Sequence, residues 1–319
     1  MKRSTKIWLA IATSLLFVGM ALFAVTMALC GWDFSSLATV EYSTTVHEIE
    51  EGFDNISVNT DTAKIIFALA DDGKCRVECY EDAEAKHSVS VEDGTLVITK
   101  VNEKKWYEYI GINFSSQRIT VFLPRAEYAS LRIDESTGDV EIPKDLMLQS
   151  IDISVSTGNV KCYAAAEGIK ISATTGSVRV QAPNAGAIDV SVSTGKVSIS
   201  NTVCLGEVKV GVSTGKTELT SVECKSLTSS GSTGDISLNS VIAEEGISIK
   251  RSTGDVNLDD ADAGEIFIET DTGDVEGTLL SEKVFIARSD TGDIDVPKTT
   301  GGGRCEITTD TGDINLKIK

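Results

Sequence analysis

Ten copies of one pentapeptide, spaced almost evenly through the second half of the chain, constrain this protein more than any other feature. Each copy reads Ser, Thr or Asp, then Thr-Gly, then a polar residue, then usually Val or Ile, as in STGDV at Ser136, STGKV at Ser193 and DTGDI at Asp310. The glycines are Gly138, Gly158, Gly176, Gly195, Gly215, Gly234, Gly254, Gly273, Gly292 and Gly312, separated by 18–20 residues. Self-similarity at a fixed period of this length marks an architecture in which each unit stacks on its neighbours.

The flanks of the pentapeptide specify strands. Two and four residues after a glycine stand pairs such as Val140/Ile142, Val178/Val180, Ile236/Leu238 and Ile294/Val296. Seven and five residues before it stand Leu131/Ile133, Ile151/Ile153, Ile188/Val190 and Ile266/Ile268. A spacing of two among β-branched residues predicts half-buried strands. Each repeat then reads as strand, Thr-Gly turn, strand and a looser return, with glycine supplying a positive φ at the turn. Such a unit cannot bury its inner face alone. Stacked at about 4.8 Å per level, identical turns place Thr over Thr and Val over Val, and ten levels make a rod of roughly 45–50 Å. The expected fold is all-β: a single-handed parallel β-solenoid (β-helix) of about ten 18–20-residue rungs. An antiparallel meander is the alternative, and it would not require the same turn chemistry at one fixed phase.

The N-terminus is a different material. From Ile7 to Cys30 the chain carries neither charge nor proline. At about 1.5 Å per helical residue this run exceeds the roughly 30 Å hydrocarbon core of a bilayer. Lys2, Arg3 and Lys6 precede it, whereas Asp33 and Glu41 follow. The positive-inside rule then predicts a single-pass anchor in the cell membrane, with a cytoplasmic N-terminus and an extracellular C-terminal domain. A cleaved signal peptide is the competing reading, but its apolar region is normally about 7–15 residues long. The expected organisation is a stub over 1–6, a membrane anchor over 7–30, a linker over 31–45, an irregular N-terminal β cap over 46–130 and the Thr-Gly solenoid over 131–319. Within the cap, 59–65 resembles a rung start lacking its glycine, and strands are predicted at 74–80, 88–91, 95–100 and 118–123. The aromatic stretch Trp106–Ile110, with Phe114, is expected to pack over the end of the rod.

Composition removes several function classes. Acidic residues outnumber basic ones 48 to 29 in the 319-residue chain, a net charge of −19. Beyond the predicted span the counts become 26 basic and 48 acidic, or −22. No nucleic-acid partner is expected of so acidic a surface, because phosphate binding rests on clustered Lys and Arg. Two histidines, His47 and His87, leave little for a metal centre, and without a CxxC pair neither zinc nor thioredoxin chemistry is predicted. The seven cysteines are too few for a disulfide scaffold, and Cys75 and Cys79 are about 13 Å apart on a strand, beyond bridging range. They read as small buried hydrophobes.

The segments Ile119–Pro124 (ITVFLP), Leu131-Arg132-Ile133 and Ser136-Thr137-Gly138-Asp139-Val140 with its nine successors carry a family resemblance. Over residues 46–319 the chain resembles the bacterial β-strand-repeat proteins described as candidate adhesins, a domain-of-unknown-function family. The resemblance implies a cell-envelope β-solenoid with no catalytic residues to carry over. It also implies two roles: adhesion, or an accessory or sensor function in an envelope-stress response system.

Three arrangements of polar residues bear on chemistry. Asp271, Asp290 and Asp310 each open an Asp-Thr-Gly, the tripeptide of aspartic proteases. Here it recurs inside a repeat where Ser does the same job, and no second lobe brings two carboxylates together. The same residues form one stacked column, and Asp274, Asp293 and Asp313 form another. Carboxylates about 5 Å apart repel by roughly 1 kcal/mol in water. Backbone N–H groups at the turns, or a bound cation such as Ca²⁺, would relieve this, and solvated turn-capping is the simpler expectation. Stacked carboxylates also resemble polysaccharide-cleaving β-helix enzymes, which add basic groups to hold an acidic sugar. Lys196 and Lys216 share a turn phase away from these columns and read as relief of charge crowding. The expectation is therefore a non-enzymatic protein without cofactor or catalytic residues. It binds an envelope or extracellular polymer or protein through a repetitive polar surface.

Overall fold

The computed structural model describes residues 3–32, 41–101 and 116–319. The aromatic stretch expected to cover the end of the rod lies outside them. Helix α1 (Arg3–Leu29) carries its apolar side chains outward, among them Leu15 and Phe17. It is long and apolar enough to cross a membrane.

The strands of the N-terminal region are β1 (Tyr42–Ile49), β2 (Asn55–Thr62), β3 (Lys64–Leu69), β4 (Cys75–Asp82), β5 (His87–Glu92), β6 (Thr95–Lys100) and β7 (Arg118–Leu123). The repeats begin with β8 (Glu127–Thr137) and β9 (Val140–Ile142). Strand β1 starts inside the stretch read as linker. Strands β2 and β3 are themselves a level of the solenoid, lying parallel to β8 and β9. The glycine-less rung start at 59–65 is thus a true rung, with Ala63 at its turn. On its far side β6 and β7 continue the stack in parallel, and β4, β1 and β5 close it with antiparallel pairing. Antiparallel strands end the rod because a return strand can pair with the last level without a further crossover.

From β8 onward every pairing is parallel, for example Ile151 with Leu131 and with Ile169, and Val160 with Val140 and with Val178; the register shifts only in the returns, after Cys204, Cys224, Ala243 and Leu258. Most of the inward positions two and four residues after the glycines and seven and five before them belong to one continuous buried core dominated by Val, Ile and Leu, interrupted by Thr217 and Gly277. Burying whole side chains of this kind contributes roughly 1.5–3 kcal/mol each, which offsets the cost of ordering so many short units. From the Gly195 level to the Gly254 level the return is also ordered. Asn201, Ser221, Ser240 and Asp260 turn a second corner with φ of 50–53°. Short polar side chains tolerate that left-handed conformation better than others do.

The end of the rod corrects the expected order of the rungs. The strand Gly303–Thr311 pairs with Val256–Thr272 on one side and with Lys283–Thr291 on the other. Likewise Ile314–Ile318 lies between Val275–Leu279 and Ile294–Asp295. The C-terminal repeat is inserted between the two repeats that precede it, so the outermost level is 283–295. Ile294, predicted as core, is consequently 45% exposed, because no further level covers it.

Candidate functional site

The turn column is the most regular feature of the surface. Ala63 and the ten glycines stack one above another in the order 63, 138, 158, 176, 195, 215, 234, 254, 273, 312, 292. A Cβ placed on any of these glycines would fall 1.7–2.3 Å from the carbonyl oxygen of the level beneath or above it. Nine of the ten also have φ between 123° and 155°. Glycine is thus required twice, for conformation and for close approach of backbones.

Next to each glycine runs a ladder of side-chain bonds. Asp139 Oδ1 accepts the N–H of Asn159 at 2.8 Å, and Asn159 Oδ1 accepts that of Ser177. Asp255 Oδ1 accepts from Asp274, Asp274 Oδ1 from Asp313, and Asp313 Oδ1 from Asp293, at 3.0, 2.8 and 2.8 Å. Asp274, Asp313 and Asp293 thus stack in that order, with Asp293 outermost. The Asp274 and Asp313 carboxylates are met by backbone donors of the next level, which strengthen as partners when the acceptor is ionised. The companion column runs Asp271, Asp310, Asp290; all three are exposed, and Asp290 pairs with Arg288 at 3.0 Å. Lys196 and Lys216 bridge to Glu218 and Asp235 at 2.6 and 2.9 Å, across adjacent levels.

Outward positions four and two residues before the glycines form a hydroxyl-bearing face. Ser154, Ser156, Ser172, Thr174, Ser191 and Ser193 line part of a shallow groove of about 340 Å³. At the N-terminal cap a cleft of about 430 Å³ has Ile49, Phe53 and Tyr128 among its lining residues, with Glu50, Asp72 and Arg76. The Phe53 and Tyr128 rings stack at 5.8 Å, and the Tyr128 hydroxyl donates to Pro124 O.

Three buried polar features had no periodic signal. Arg251 crosses the interior over Gly231, donating from Nη1 to Val212 O and from Nη2 to Thr217 Oγ1, both at 2.9 Å; burial lowers its pKa. Glu135 Oε1 accepts from the Ala63 and Thr137 N–H groups, yet burial raises its carboxyl to about 8. Cys79, Glu81 and His87 converge within the cap, with ligand atoms within 4.8 Å of one another. Burial, then the nearby Glu81, pushes the Cys79 thiol up to about 12. All seven cysteines are free, and six are buried, as read from the sequence. The pattern of hydrophobic alternation marks all these positions only as inward-facing, so nothing in it signals that polar groups meet there.

No protein of curated function matches the chain. Solved structures resemble it at low identity. A candidate adhesin from Parabacteroides distasonis is 12% identical, with 88% of this chain and 98% of that chain covered and a TM-score of 0.41. A candidate adhesin from Bacteroides fragilis is 14% identical, over 87% and 97% of the two chains, with a TM-score of 0.39. A protein of Parabacteroides distasonis described as a candidate lipid-binding protein is 16% identical, over 86% and 97%, with a TM-score of 0.38. The Toastrack DUF4097 family profile matches residues 53–258 and 201–319. With Thr-Gly turns stacked from Gly138 to the C-terminal levels, this chain belongs to the Toastrack DUF4097 family of β-solenoids.

Proposed function

We propose that the protein is a non-enzymatic, membrane-anchored binding protein whose solenoid faces outward and holds an extended envelope or extracellular polymer. The observation that carries this reading is the hydroxyl-bearing face along the groove, where Ser and Thr recur at matching positions level after level. An extended polymer with its own repeat can meet such rows of donors and acceptors many times over, so weak contacts add. The net charge of −22 beyond the helix disfavours polyanionic partners and favours neutral or cationic ones. The basic residues Lys2, Arg3 and Lys6 before the apolar segment support a cytoplasmic N-terminus with the solenoid outside.

The test incubates the full chain with purified cell-envelope material and a panel of neutral and acidic polysaccharides. Retention on neutral polymer, lost in a Ser172→Lys/Ser191→Lys variant, is the expected result. Retention unchanged by that variant would move binding elsewhere on the molecule, and release of reducing ends would make the protein an enzyme. A second reading, an accessory protein of an envelope-stress system, draws on the apolar-floored cleft at the cap. Crosslinking in intact cells separates the two, since membrane kinases or transporters as the sole captured partners would count against adhesion.

A further inference from the structure

Two strand systems of the N-terminal cap come together at one buried point. Strand β4 pairs with β1 and β7, whereas β5 pairs with β6. Cys79 and Glu81 are two apart on β4 and so face the same side. His87 opens β5 and reaches them across the connecting turn, and the three side chains have their ligand atoms within 4.8 Å of one another. Glu81 Oε2 accepts the backbone N–H of His87 at 2.8 Å and lies 2.7 Å from its Nδ1. The other carboxylate oxygen, Oε1, is buried with no hydrogen-bond partner among the described residues. Only 1% of the Glu81 side chain is exposed, and the His87 side chain against it is 0% exposed. A carboxylate so enclosed, with one oxygen bare, is costly unless a further positive group meets it; buried charges are paired or coordinate metals.

We propose that Cys79, Glu81 and His87 form a structural site for a zinc-class divalent cation that staples the cap to the solenoid. A thiolate, a carboxylate and an imidazole are the donor types that suit zinc, whereas calcium and magnesium prefer oxygen alone. The thiolate and the carboxylate together cancel the ion's two positive charges, so the filled site is neutral in its dry surroundings. On binding, the Cys79 thiol proton and the proton held between Glu81 and His87 leave to solvent. His87 then ligates through Nδ1, and its Nε2–H donates to Thr60 Oγ1, which lies 2.9 Å away on β2. That outer contact is the kind that orients a metal-bound imidazole, and it ties the site to the first level of the solenoid. With both carboxylate oxygens used, four donor atoms are available; at bond lengths of about 2.0–2.3 Å the more distant donors draw in, and Nδ1 and Oε2, 2.7 Å apart, part by about half an ångström. Cys75, on the same face of β4, is not part of the cluster.

The experiment uses the full chain, produced in cells grown in zinc- or cobalt-supplemented medium, purified in mild detergent and dialysed. The expected result is a single equivalent of bound metal and, for the cobalt form, a thiolate-to-cobalt charge-transfer band in the near ultraviolet. Cys79→Ser loses both, Cys75→Ser keeps both, and a strong chelator lowers the Tm of the unaltered protein by several degrees without changing that of Cys79→Ser. Metal bound equally by Cys79→Ser overturns the proposal. The band needs no variant to fold, so its absence from the unaltered cobalt-grown protein overturns the proposal as well.

Discussion

Replacing Gly195 by alanine tests whether the turn column limits the stability of the solenoid. The added Cβ would lie 1.7 Å from Gly176 O and 2.8 Å from its carbonyl carbon, on a backbone with φ of +149°. A carbon–oxygen contact settles at about 3.3–3.6 Å, so the two levels must part locally by about 1.5 Å or more. Levels spaced at about 4.8 Å cannot open that far and keep their ladder bonds. The strained φ costs about 1–3 kcal/mol and two weakened ladder bonds about 1 kcal/mol each, so the expected loss is about 3–5 kcal/mol. That is a large share of the roughly 5–15 kcal/mol by which domains are stable. Gly168→Ala is the control, because nothing lies within 4 Å of a Cβ there and its φ is outside the left-handed region. Urea unfolding of the full chain in mild detergent, followed by circular dichroism, reads both variants. Each level touches only its neighbours, so Gly195→Ala is also expected to separate an early transition from a later one. If its midpoint matches that of Gly168→Ala, the turn relaxes at little cost and the steric account of the column is wrong.

Three further outcomes follow from the buried and ladder groups. The fold raises the Glu135 carboxyl to about 8 through burial. Its contribution is therefore complete below the unfolded-state value near 4.3 and is lost as pH rises through 8. The difference is about 5 kcal/mol; Glu135→Gln should flatten stability against pH between 5 and 8, and parallel curves for the two proteins would contradict this. Arg251→Ala leaves the Val212 carbonyl and the Thr217 hydroxyl without their donors in a dry interior. Denaturant titration should show a loss of about 2–4 kcal/mol, and a loss below 1 would mean water replaces the guanidinium. Asp313→Asn should be nearly neutral, since Asn159 already serves the same ladder. Asp313→Ala should cost about 1 kcal/mol, and millimolar Ca²⁺ should leave the melting of the unaltered protein unmoved if backbone donors satisfy these carboxylates.

Much of this fold is legible in the sequence, because its repeat distance and its strand alternation are both local. Thr-Gly at 18–20 residues sets one turn per level, and β-branched pairs on either side set which face is buried. Parallel in-register stacking follows, because only that arrangement superimposes identical turns. The rung at Asn59–Ile65 is legible even without its glycine, and Ala63 takes the turn position next to Gly138. The turn-phase Asp columns were likewise visible, but their relief by N–H groups of the neighbouring level was not decidable from spacing.

Tertiary structure alone decided the rest, and the reason is the same periodicity. Any level presents equivalent edges, so the repeat is blind to which level is its neighbour. The sequence therefore holds no sign that 303–318 slips between 256–279 and 283–295, leaving Ile294 at the open end. The same blindness hid the contacts among residues far apart in sequence or joined by an irregular turn. Arg251 spans two levels to Val212, and Glu135 reaches back to Ala63. In the sequence Cys79 reads as a small buried hydrophobe and nothing links it to Glu81 or His87; the antiparallel cap brings the three together. A repeating pattern determines the shape of each level and its spacing, and packing in three dimensions determines the order of the levels and the chemistry at the ends of the stack.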